Sequence, residues 1–220
     1  MKTKYDVTVL ICVHSTDYRY DFLLMKALKS LENQTYKNFK TLIVLDECWG
    51  NTKKIITHTN FDLDIEIQEK NKKSGLGNAK NFGLSFVETD LVSFLDADDL
   101  YCQDKLEKQL EFINNNDVDF LGTQSWNISK NDEQELFDSC FSLGTNETHD
   151  EISKNIYQEN FLTHGSMMIK KTCLDELGGY RDIKGTEDWD LWKRAIDKGF
   201  KFHQLQERLY IYRIGTSTIR

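Results

Sequence analysis

Leu91-Val-Ser-Phe-Leu-Asp-Ala-Asp-Asp-Leu100 is the stretch that most narrows what this chain can fold into. A largely apolar run with strand propensity passes straight into three carboxylates, Asp96, Asp98 and Asp99. It reads as a buried strand that ends in acid. In open α/β sheets ligands bind just beyond the carboxyl ends of the strands, so this cluster falls where a site is expected. Oxygen-only donors suit a hard cation, and Mg²⁺ takes one or two carboxylates plus substrate phosphates. A plain structural reading stands beside this one: Asp98 or Asp99 could cap a helix over residues 103–115.

The chain before this stretch alternates strand and helix. Val7 to Val13 reads as a buried first strand, followed by a polar loop from His14 to Asp17. Tyr20, Leu24, Ala27, Leu28 and Leu31 recur with helical period and predict an amphipathic helix. Lys40 to Leu45 is a second strand, also tipped with acid at Asp46 and Glu47, and Asn51 is placed to cap a helix over 52–58. Asp64-Ile-Glu-Ile-Gln alternates with period two, as a more exposed third strand does. Strands and helices at this spacing predict an α/β sheet with right-handed crossovers.

Asn71 to Gly83 carries glycines at 75, 77 and 83, where the backbone could approach a ligand at a helix N-terminus. It lacks the Gly-Lys-Ser/Thr ending of a Walker loop and the spacing of a dinucleotide fingerprint, and a simple turn explains it equally well. Ala79, Phe82, Phe86 and Val87 are expected to give the helix after it a buried face. Downstream, Leu106, Leu110 and Ile113 define another amphipathic helix, and Val118 to Gly122 a strand. The polar residues 124–160 are expected to form an inserted, partly helical region over the site. Ser166 to Lys170 is a short strand, Leu177 to Tyr180 a turn, and Lys201–Leu205 and Arg208–Arg213 two final strands.

Between these lies a helix with Trp192, Ala195 and Ile196 on its buried side. Asp188, four residues before Trp192, sits over the same face at the open N-terminal end. A carboxylate there could act as a general base, or Glu187 and Asp188 could only complement the helix dipole.

Composition removes several classes. The 220 residues, 39% hydrophobic, suffice for one ordinary domain with a core. A net charge of −8 argues against a nucleic-acid binder, which needs a basic face. Five scattered cysteines, without CxxC spacing, point to free thiols in a reducing compartment rather than to zinc. With no signal-like segment or 20-residue apolar window, the expected location is cytoplasmic. The sequons at Asn127 and Asn146 are read as chance.

Taken together, the segments resemble family 2 glycosyltransferases of the GT-A fold, over nearly the whole chain from Val7 to about Ser217. Val7–Val13 with Gln34-Thr-Tyr-Lys-Asn-Phe resembles the family opening, and Val44-Leu-Asp-Glu its Val-Asp-Asp strand end. Gly75–Gly83, with Ala79-Lys-Asn81, is similar to the Gly-x-x-x-Ala-Arg-Asn loop. Phe94–Leu100 matches the DxD region, and Gly178-Gly-Tyr with Glu187-Asp188 and Trp192 the acceptor-side ED motif. The fold so implied is a Rossmann-like mixed sheet, mostly parallel at its core and flanked by helices, in one domain over 1–220. Residues to about 100 would hold the nucleotide sugar, and the remainder the acceptor.

The resemblance also implies roles. Asp46 or Glu47 would meet the nucleotide base, in a pocket lined by Cys12, Val13 and His14 with Lys80 nearby. Asp96 would contact the ribose beside Ala97, and Asp98 would hold a divalent metal, Mn²⁺ or Mg²⁺, on the diphosphate. Asp188 would be the catalytic base, flanked by Glu187 and Trp189, and His164 is a further cleft candidate with a structural alternative. The implied reaction is inverting transfer from a nucleotide sugar, with a UDP-sugar as first expectation, to a saccharide or lipid-linked saccharide of a bacterial surface polysaccharide. Membrane contact would be peripheral at most, since no basic amphipathic helix is evident.

The chain departs from the family pattern at four places. Cys12 stands where proline is common, Lys80 for Arg, Glu47 for Asp, and Tyr212-Arg-Ile-Gly lacks the histidine often found after Tyr-Arg. Two other functions stand beside this one. A nucleotidyltransferase would carry a Gly-rich basic loop after the first strand, where this chain has His14-Ser-Thr-Asp. A non-catalytic binding protein of the same fold would have less reason to keep both Asp98 and Asp188.

Overall fold

The computed structural model describes residues 5–48, 50–70, 72–129, 136–138 and 147–215. The first half runs β1 (Val7–Val13), α1 (Tyr18–Glu32), β2 (Phe39–Asp46), α2 (Thr52–His58), β3 (Ile65–Lys70), α3 (Leu76–Leu84) and β4 (Leu91–Phe94). Next come β5 (Leu100–Tyr101), α4 (Lys105–Asn115), β6 (Phe120–Ser129), β7 (Leu136–Asp138) and α5 (His149–Asn155). A 3-10 turn (His164–Ser166), β8 (Met168–Lys170), α6 (Lys171–Glu176), α7 (Glu187–Asp197) and β9 (Phe202–Ile214) complete the order.

One mixed sheet joins the strands in the order β3-β2-β1-β4-β8-β6-β9-β5, with β7 paired to β6. The first four are parallel. The strand order reverses at β1, which pairs with β2 on one side and β4 on the other. That reversal opens a crevice at the carboxyl ends of β1 and β4, at Cys12–His14 and Asp96–Asp99. Beyond β4 the sheet turns antiparallel through β8.

Period-two alternation explains why the sheet is covered on both faces. Val9, Ile11 and Val13 join Leu24, Leu28, Leu31, Leu106 and Leu110 in the core beneath α1 and α4. Leu10 points the other way, to Ala79, Phe94, Leu191, Trp192 and Phe202 beneath α3 and α7. Each strand therefore needs apolar residues at successive positions, which is the continuous run read in the sequence.

Several sequence expectations change. Asp98 and Asp99 do not cap a helix: β5 intervenes, and α4 begins only after Asp104. Asn51 occupies the N-cap position of α2 but makes no side-chain cap bond. Residues 124–129 are not part of an insertion but the second half of β6, held by ten register pairs to β9 over Phe120–Ser129. A helix, α5, follows at 149–155, while 130–135 and 139–146 lie outside the described residues. The two final strands are one, β9, whose pairing with β6 shifts register near Gln124. That irregularity is why the pattern breaks at Gln206 and Glu207 and looked like a gap. The buried face of α3 is Gly77, Ala79, Lys80, Gly83 and Leu84, with Phe86 and Val87 beyond its end. Tyr20 and Ile196 are half-buried.

Candidate active site

The crevice is a cleft of about 610 Å³ whose lining includes Cys12–His14, Tyr20, Lys80, Asp96–Asp99, Asn160–His164, Glu187, Asp188 and Tyr212–Gly215. It thus brings together nearly all the residues singled out in the sequence, from both ends of the chain. Asp46, which is buried, and Glu47, which is exposed, are not in its lining. The buried Asp46 carboxylate accepts bonds from Ser74 N (3.2 Å) and Ser74 Oγ (3.0 Å), and its carbonyl meets His14 Nδ1 at 2.8 Å. Glu47 has left-handed backbone (φ 55°) and accepts from Lys73 N at 3.3 Å. Trp189 does not line the cleft either: its Nε1 donates to Ile156 O and Lys193 lies over its ring.

The acid loop after β4 divides its labour. Asp99 is 1% exposed, with both oxygens engaged: Tyr210 Oη donates to Oδ2 and Arg213 N to Oδ1, each at 2.7 Å. Burial and the neighbouring Asp98 push its carboxyl well above the ordinary range. Asp98 and Asp96 line the cleft. Burial raises Asp96 to about 6; Lys80 opposes the rise, and Asp98, Asp188 and Glu187 add to it.

Across the cleft, α7 presents Glu187 and Asp188 in its first turn. Glu187 Oε1 accepts from Lys80 Nζ at 3.2 Å, in a pair at most 8% exposed on either side. Asp188 is held by Asn160 Nδ2 (3.2 Å) and Trp189 N (2.7 Å). Its carboxyl is raised, first by burial and further by Glu187, against the lowering effect of Lys80. A carboxylate kept above its usual range beside a cleft is suited to take a proton.

His164 lies on the cleft floor with Nε2 2.8 Å from Tyr180 Oη, stacked near Trp192 and Phe94. Burial, and then Lys80, push its pKa well below the usual value, which favours the neutral imidazole. Cys12 is also neutral there, since burial raises its thiol to about 12. Three functional positions escaped the sequence reading. Asn160 and Tyr210 carry no motif of their own, and Arg213 enters it only as part of Tyr212-Arg-Ile-Gly; β9 and the loop before the 3-10 turn bring all three to the acid groups.

The donors fit a hard divalent cation. Carboxylate oxygens line the cleft, and their neighbourhood adds to the rise that burial imposes on Asp96. Among the described residues no group of three His, Cys, Asp or Glu gathers to hold a metal. A cation here would therefore complete its shell from a substrate diphosphate and water, as Mg²⁺ commonly does.

A parallel β3-β2-β1-β4 unit, an acid loop at its switch point and an opposing acidic helix define a glycosyltransferase of the GT-A type. More particularly, the chain belongs to glycosyl transferase family 2, whose model matches residues 8–178. Its relatives include the O-antigen biosynthesis glycosyltransferase WbnJ of Escherichia coli, 28% identical over 94% of this chain and 79% of that protein. The teichuronic acid biosynthesis glycosyltransferase TuaG assigned in Bacillus subtilis is 26% identical over 96% and 81%. Among solved structures, S. aureus TarS in complex with UDP-GlcNAc superposes with a TM-score of 0.76 at 19% identity, over 97% of this chain and 58% of that one. A mannosyltransferase of Pyrobaculum calidifontis, in complex with GDP-Man and Mn²⁺, gives 0.71 at 16% identity, over 99% and 59%. At such identities the likeness is one of fold. Among the described residues no helix is long and apolar enough to cross a membrane.

Proposed function

We propose that this chain transfers a hexosyl group from a nucleotide diphosphate sugar to a saccharide hydroxyl, with inversion at the anomeric carbon. The observation that carries this reading is that Asp98 and a half-buried Asp188 with a raised carboxyl both line one cleft. The residues before about 100 hold the donor and the later ones the acceptor. Cys12–His14 and Lys80 line the donor side, with Asp46 and Glu47 beyond the lining, and Asp96 lies beside the ribose.

Asp98, with Asp96 close by, would hold a divalent cation, Mn²⁺ or Mg²⁺, which offsets the negative charge that grows on a leaving diphosphate. Asp188 removes the proton from the attacking hydroxyl. The new bond forms between that oxygen and the anomeric carbon while the bond to the diphosphate breaks, leaving a nucleoside diphosphate. Attack from the face opposite the leaving group inverts the centre. The neutral Cys12 thiol is a poor candidate for a covalent nucleophile. A UDP-sugar is the donor we favour, and a bacterial surface polysaccharide, free or lipid-linked, the acceptor class. WbnJ and TuaG, relatives named for such syntheses, support that choice.

Calorimetric titration with UDP, with and without Mn²⁺, tests the donor site in wild type and Asp98→Ala. Metal-dependent binding that Asp98→Ala abolishes is expected, and no binding of UDP would overturn the UDP assignment. Asp188→Asn should then bind UDP normally yet release none from a UDP-sugar in the presence of acceptor.

A further inference from the structure

The acid loop is not held by its own hydrogen bonds alone. Within it, Asp99 N donates to Asp96 O at 3.1 Å, closing a tight turn that presents Asp98 to the cleft. Further bonds to the turn come from β9, more than a hundred residues later. Tyr210 Oη donates to Asp99 Oδ2 at 2.7 Å and accepts from Asp96 N at 3.4 Å, so one hydroxyl touches both ends of the turn. Arg213 N donates to Asp99 Oδ1 at 2.7 Å, and Arg213 Nε to Asp98 O at 2.8 Å.

The Tyr210 ring is fully buried and packs edge-on to Tyr101, with centroids 6.0 Å apart. Its hydroxyl passes over Gly165, where any Cβ would overlap it. Gly165 thus has a steric reason to be glycine, one that has nothing to do with the neighbouring His164.

We propose that Tyr210 is a positioning residue for the donor site: its hydroxyl spans the Asp96–Asp99 turn and sets where the Asp98 carboxylate stands. Asp99 serves as the anchor of this bracket, and with both oxygens engaged it is not a cleft ligand. Strand β9 therefore belongs to the donor side of the cleft although it lies in the half assigned to the acceptor. The inference rests on the reading of Asp98 as the diphosphate-side residue, and its test separates the two.

The variant is Tyr210→Phe, which keeps the ring and deletes only the hydroxyl, with Asp99→Asn as a second variant should the first fold poorly. Amide hydrogen exchange across residues 95–101, without ligand, reads the bracket directly. Exchange at Asp96 and Asp99 is expected to quicken by about tenfold or more, as loss of a bond to a buried carboxylate implies, while exchange in β1 and β2 stays slow. Calorimetry with UDP and Mn²⁺ reads its consequence: the affinity should fall about tenfold through a weaker response to Mn²⁺, a dependence that general loosening of the fold would not single out. Unchanged exchange in Tyr210→Phe would overturn the bracket. So would quickened exchange with undiminished binding of UDP and Mn²⁺. Failure of the wild type to bind either UDP or GDP with Mn²⁺ would instead overturn the donor-site reading, and the role of Tyr210 with it.

Discussion

Asp188 has its carboxyl raised by burial and by Glu187, and Lys80 is the cation that opposes the rise. The proposed base works only when ionised, so kcat/KM should fall as pH drops through this raised value. In Lys80→Met the opposing charge is gone, and the acid limb of the profile should move to higher pH. A limb that stays in place would show that Lys80 does not act on the base. Asp188→Asn itself should lower kcat by about 10²- to 10⁴-fold, the usual worth of general base catalysis. His164 illustrates the opposite sign. Its pKa is depressed in the fold, while in the unfolded chain it takes a proton near the ordinary value of about 6.5. Its contribution is complete above that pH and is lost as pH falls toward the depressed value, because the unfolded state then binds the extra proton. Asp96, Asp99 and Asp188, all raised, titrate with the opposite sign, so the decline should be read as the difference in urea midpoint between wild type and His164→Gln, which is expected to shrink from pH 7 to 5.

At the scale of elements, α3 meets α7 and the turn at Gly179–Tyr180 through a small set of specific contacts. Lys80 pairs with Glu187, and Asn81 exchanges two bonds with Tyr180, Nδ2 donating to the carbonyl at 2.7 Å and Oδ1 accepting from N at 2.8 Å. Gly179 lies against that Asn81 with φ 71°, so a side chain there would be both strained and in the way. Gly179→Ala should destabilise by about 1–3 kcal/mol, read from the urea midpoint. Breaking the ion pair from one side, as in Lys80→Met, leaves Glu187 buried without its cation and should cost about 3–5 kcal/mol. Adding Glu187→Gln to Lys80→Met should recover part of that loss, since the stranded charge is then removed. Equal destabilisation of the single and double variants would mean that the pair is not coupled.

For the molecule as a whole, the cleft is lined by the β1–β4 switch point together with α7, the 160–164 segment and β9. A ligand spanning them adds its binding energy to the stability of the fold. UDP with Mn²⁺ at about 100 times its dissociation constant should stabilise by about 2.7 kcal/mol, seen as a raised thermal midpoint. Either component alone should raise it less, and Asp98→Ala should remove the difference.

The local chain determined the parallel unit and its acid tips. The runs Val7–Val13 and Leu91–Phe94, and the helical spacing of Leu24, Leu28 and Leu31, are short-range patterns set by backbone period and burial. The residues expected at the cleft were legible because they end strands or begin helices, and most of them line it. Other features were decided only in three dimensions. The Gln206–Glu207 break hid the continuity of β9, because a register shift against β6 is a property of two strands. Trp189 follows a motif yet turns its indole to the Ile156 carbonyl, a partner 33 residues away that only the folded chain brings to it. Asp99 looks in sequence like a twin of Asp98, but β9 places Tyr210 and Arg213 N on its two oxygens, so one carboxylate becomes an anchor and the other faces the cleft. Hydrogen-bond partners more than a hundred residues apart leave no periodic trace, which is why only the folded chain could separate the two.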